Sequence, residues 1–152
     1  MEKFPSHPLE RPEKTPTPEL PQVVKEYLRQ LYESQNQWSK IKNAEKDYWN
    51  AKKEGDRSLE DIGDRLAEEY DKLWAIEEKI RKMRDAYPQL RIVDQYLALK
   101  KYYEMIRRQP EPESPRGIDE LITVQIFFED ELRRLKRQLP EEVVKILDSE
   151  VL

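Results

Sequence analysis

Cysteine is absent from this chain of 152 residues, histidine occurs once and glycine three times. Without cysteine there is no disulfide, no thiol nucleophile and no thiolate metal site. The single histidine, His7, sits between Ser6 and Pro8 in a proline-rich stretch. A nucleophile–histidine–acid arrangement needs its imidazole held in a rigid scaffold, and helical di-iron sites need histidines on inward helix faces. Three isolated glycines cannot build a phosphate-cradling loop. No apolar run approaches the ~20 residues of a membrane span. The opening Met-Glu-Lys-Phe-Pro has no apolar segment of the kind a secretory signal carries. These absences predict no catalytic, metal or cofactor site, and a protein that is intracellular rather than secreted or transmembrane.

What the chain does have is charge. Charged residues make up 39 % and hydrophobic residues 37 %, against roughly 25 % and 45–50 % in an ordinary globular domain. Abundant Glu, Lys and Arg with little glycine predict long helices with one wet face. The 28 basic and 32 acidic side chains leave a net charge of -4, so no overall field draws the chain to nucleic acid or an anionic membrane.

Proline sets the punctuation, because inside a helix it costs ~3 kcal/mol. Six of eleven prolines fall in the first 21 residues. Residues 1–21 are therefore expected to form an extended, polyproline-like arm, with Phe4 and Leu9 as candidate partner anchors. Residues 22–152 are expected to form one helical domain, with helices at about 22–54, 58–87, 89–108, 116–139 and 141–148. Breaks are expected at Gly55, at Pro88, across Pro110–Pro115 and at Pro140. Ser58 is the expected cap of the second helix.

Apolar periodicity gives each helix a face. The first helix runs Val24, Tyr27, Leu31, Ser34, Trp38, Ile41, Glu45, Tyr48 in alternating steps of three and four. The second runs Leu59, Ile62, Leu66, Glu69, Leu73, Ile76, Ile80, Met83, Tyr87, with Glu69 its one polar break. A seam that long, ~43 Å at 1.5 Å per residue, has to be covered by another long helix of the same chain or of a neighbour. Glu45 and Glu69 are expected to be polar register points. Beside this seam, Gly63, Ala67, Tyr70 and Trp74 form a second stripe, expected to meet a third helix or, through Tyr70 and Trp74, a partner. The third helix is apolar on more than one face, which predicts a central place in a bundle. In the fourth, Ile122, Val124, Ile126 and Phe127 widen the seam Ile118, Leu121, Gln125, Phe128, Leu132, Leu135, Leu139.

The fold class expected is all-α: a long-helix antiparallel bundle or coiled-coil-like hairpin with an extended N-terminal arm. The function expected is that of a non-enzymatic structural or assembly protein. It would self-associate as a homo-oligomer, or dock on a helical partner, through heptad-patterned faces and the arm. The alternative is a helical virion coat protein that packages nucleic acid through basic helix faces, at Lys79, Arg81, Lys82, Arg84, Arg107 and Arg108. This is the less favoured reading. Each basic cluster lies in the C-terminal half of its helix, where the helix dipole alone favours cations, and an up-down bundle would send the clusters to opposite poles.

Overall fold

A computed structural model describes residues 19–150; the expected arm, with Phe4 and Leu9, lies almost wholly outside the described residues. The described chain is all-helical: α1 Leu20–Glu54, α2 Leu59–Ala86, α3 Leu90–Arg107, α4 Pro115–Arg137 and α5 Glu141–Asp148.

Local chemistry explains each boundary. Pro21 lies in the first turn of α1, where its missing N–H costs nothing. Gly55 ends α1 at φ 67°, and its N–H bonds back to the α1 carbonyls. Glycine adopts that left-handed geometry without the steric cost other residues bear. Ser58 does not cap α2 with its side chain as expected. Instead its N–H and hydroxyl both donate to the Asp56 carboxylate, at 2.9 and 2.8 Å. These bonds close the turn from the other side and hold the Asp56 carboxyl below its ordinary range. Tyr87 leaves helical geometry at ψ 86°, the extended backbone that a following proline imposes. Ser114 caps α4 by accepting from the Gly117 N–H at 3.0 Å, with Pro115 next in the first turn.

The helices pair as two antiparallel hairpins, α1 with α2 and α3 with α4. Along the first, Tyr27 meets Arg84, Gln37 meets Glu69 and Tyr48 meets Gly63, so advance along α1 is retreat along α2. The α2 seam is therefore covered within the chain, by α1. Leu73 and Ile80 are fully buried, while Leu59, Ile62, Leu66, Ile76, Met83 and Tyr87 are half-buried, because a two-helix layer leaves its flanks open.

The stripe beside this seam does not meet a third helix. Gly63 faces Tyr48, and Tyr70 packs edge-on against Trp38 with centroids 6.4 Å apart, so both turn toward α1. Trp74 and Ala67 face solvent. A methyl added at Gly63 would sit 3.5 Å from the Tyr48 ring, an ordinary contact. Gly63→Ala is thus expected to stabilise the protein by roughly 0.5–1 kcal/mol, through lower unfolded-state entropy and higher helix propensity. A higher denaturation midpoint checks it.

The main core lies where the open ends of the hairpins meet. Val24 and Tyr27 come from the start of α1 and Ile80 from the end of α2. Leu90, Val93 and Tyr96 come from the start of α3, Leu135 from the end of α4, Leu139 from the turn after it, and Val143 and Leu147 from α5. The two closed ends, at Gly55 and at residues 108–114, are the parts farthest along the chain from this core. α3 is not central along its whole length: its first half is buried, whereas Tyr102 and Met105 in its second half are exposed. Along that half α3 packs chiefly on α4, with the end of α5 held against it at Lys100.

Two polar clusters lock the junction. The Tyr27 hydroxyl donates to Asp94 at 2.6 Å and accepts from Arg84 Nε at 2.7 Å, and Arg84 pairs with Asp94 at 3.1 Å. One side chain each from α1, α2 and α3 is thereby joined. The Tyr96 hydroxyl donates to Asp148, and Lys100 Nζ donates to the Leu147 carbonyl at 2.8 Å, tying the end of α5 to α3.

Candidate interaction surface

The polar breaks in the long seams are used between helices. Gln37, itself buried, donates through Nε2 to the Glu69 carboxylate and to the Glu69 carbonyl, both at 2.8 Å. With Lys72 behind it, this holds the Glu69 carboxyl below its ordinary range. Tyr70 donates to Glu45 at 3.1 Å, and that bond raises the Tyr70 pKa. Both acids thus sit in hydrogen bonds that link α1 to α2 at one register.

Of the aromatic anchor candidates in the described residues, Tyr70 is half-buried between Trp38 and Trp74, and Trp74 is 65 % exposed. The three rings form a short row on the first hairpin. Trp49, also exposed, has the Lys52 ammonium 5.0 Å from its ring.

The basic candidates are dispersed. Lys79, Arg81, Lys82 and Arg84 lie near the core end of α2, whereas Arg107 and Arg108 lie at the far end of α3. Several are engaged locally. Arg81 pairs with Glu78 and Asp85, Arg84 with Asp94, and Arg107 with Glu104. Lys79, Lys82 and Arg108 have no ion pair among the described residues.

The surface that the sequence did not single out is the outer half of the second hairpin. Tyr102 and Met105 of α3, with Ile122, Val124, Ile126 and Phe127 of α4, are 40–58 % exposed. By helical period, Ile122 and Ile126 share one flank of α4, and Val124 and Phe127 the other. Between the flanks, Leu121, Gln125 and Phe128 turn inward and are half-buried. The first half of α4 is therefore apolar around most of its circumference, with α3 as its main packing neighbour. A helix of that pattern belongs in an interior. The signal was present as the four apolar residues that widen the α4 seam, but only the missing neighbours give them meaning.

A cleft of about 440 Å³ separates α1 from α3, lined by Leu28, Leu31, Tyr32, Leu97 and Ala98 with Lys101 at its rim. Asp94, which also lines it, is committed to Tyr27 and Arg84. The cleft is suited to an apolar group with a charged rim of Lys101 and Glu150. Among the described residues, no group of three or more acidic, histidine or cysteine side chains is placed to hold a metal, and no helix is long and apolar enough to cross a membrane. Comparison with known protein families, with characterised proteins and with solved structures finds no match to this chain.

Proposed function

We propose that this chain is a non-enzymatic assembly protein, and that the outer half of the α3–α4 hairpin is the surface through which it self-associates or docks on a helical partner. The observation that carries this reading is the set of six large apolar side chains, 40–58 % exposed, on two helices that pack chiefly on each other there. Single exposed apolar residues are ordinary, whereas a clustered set on both sides of one hairpin marks a contact surface. The cations invoked by the coat-protein alternative are split between the core end of α2 and the outer end of α3, so the assembly reading stands first.

The paired variant Ile126→Glu/Phe127→Glu tests it. Neither side chain is part of the core, so unfolding in dilute solution is expected to match the parent within about 0.5 kcal/mol. The parent is expected to form oligomers or to bind an apolar fluorescent dye, and the variant to do neither. A loss of roughly 2 kcal/mol or more would place these side chains inside the folded monomer and overturn the reading. So would a parent that neither associates nor binds the dye.

A further inference from the structure

The outer half of the second hairpin is basic along one helix and acidic along the other. Residues 99–109 carry four cations, Lys100, Lys101, Arg107 and Arg108, against Glu104 alone. Residues 110–130 carry six anions against Arg116 alone. The Tyr103 hydroxyl donates to Glu129 at 3.0 Å, so the two stretches lie side by side. Lys100 is committed to α5, donating to the Leu147 carbonyl at 2.8 Å beside Asp148, whereas the remaining charges are met chiefly by exposed neighbours one turn away, as in Arg107–Glu104 and Arg116–Glu120. Such pairs contribute little and leave the two fields in place.

This pattern is complementary to itself. A two-fold axis along the hairpin would lay α3 of each copy on α4 of the other. Every basic stretch then meets an acidic one, and the exposed apolar side chains of one flank close between four helices whose neighbours all run antiparallel. A two-fold axis across the hairpin would instead stack α3 on α3 and α4 on α4, setting like charges against each other. Isologous contacts of the first kind are the commonest way soluble chains pair. Resting on the docking surface argued above, we propose that its occupant is a second copy of this chain, bound through the outer α3–α4 hairpin with α3 against α4 of the partner copy.

Charge reversal in the full chain tests the arrangement. One variant carries Lys101→Glu and Arg108→Glu, the other Asp119→Lys and Glu120→Lys; all four side chains are exposed. Sedimentation equilibrium at low ionic strength is expected to show a dimer for the parent. Each variant alone should dimerise about tenfold more weakly or worse, because it sets like charges across both contacts. An equimolar mixture should regain dimers, and added salt should weaken the parent. A parent that stays monomeric up to the order of 1 mM overturns the second copy as occupant, since specific pairing should be evident by then. The Ile126→Glu/Phe127→Glu result judges the docking surface separately. A parent dimer indifferent to both reversals, or a mixture that does not recover, overturns the α3-on-α4 arrangement.

Discussion

Tyr27→Ala is expected to destabilise the protein by roughly 3–5 kcal/mol, the range for emptying a buried aromatic site. Tyr27 is fully buried in the core shared by all five helices. Its ring also lies beneath the Arg84 guanidinium, 5.7 Å from centroid to cation. Tyr27→Phe separates packing from hydrogen bonding. The phenylalanine fills the same space but leaves Asp94 Oδ1 without the Tyr27 donor and Arg84 Nε without one of its acceptors. The Arg84–Asp94 pair at 3.1 Å survives and still satisfies both partly. The expected cost is therefore smaller, about 1–3 kcal/mol. Chemical denaturation of the two variants checks the split. Equal losses would mean that the hydroxyl, not the ring, dominates; a negligible loss for the alanine variant would mean that α1 is not anchored there.

The second large effect is an alkaline loss of stability. Tyr27 and Tyr96 are both held neutral in the fold, first by burial and then by donating to the Asp94 and Asp148 carboxylates. A phenolate at either place would lose the proton it donates and face a carboxylate instead. Both pKa values are raised well above the ordinary value of about 10. The unfolded chain releases these protons near pH ~10, whereas the folded chain keeps them. The stabilisation is thus fully present below that pH and is lost progressively as pH rises above it. The thermal midpoint is expected to be nearly level from neutral pH to about pH 9 and to fall beyond about pH 10. The double variant Tyr27→Phe/Tyr96→Phe removes both ionisations. It should start lower and fall less over the same interval. A double variant with the same alkaline slope as the parent would show that the two phenols do not carry the loss.

How much of this was legible in the sequence differs by element. Helix positions followed from short-range rules. Proline removes a helical N–H, glycine tolerates positive φ, and apolar side chains three and four apart share a face. Each rule acts within a turn or two of its residue, so Gly55, Pro88, Pro115 and Pro140 all mark real boundaries. The Leu59–Tyr87 seam implied a long covering helix, and α1 supplies it. The stripe through Gly63 and Tyr70 was harder to place. Its spacing shows a face but not what lies opposite, and Tyr48 and Trp38 of the same hairpin fill that role. Ser58 has the right chemistry and position for a cap, yet Asp56 two residues earlier competes for its hydroxyl. That competition is local but invisible to a rule that scores one residue at a time.

By itself the sequence determined that this protein is helical, where its helices stop, and that it holds no cysteine, one histidine and three scattered glycines. These are properties of residue types and of neighbours in the chain. Only the tertiary structure decided which helices pair, that the core gathers at the open ends of two hairpins, and that Tyr27 and Tyr96 tie the junction together. It alone showed that Ile122, Val124, Ile126 and Phe127 stay open to solvent. The physical reason is that burial belongs to a residue's surroundings. An apolar side chain in a helix is the same in sequence whether a second helix covers it or water does, and only the packed chain distinguishes the two.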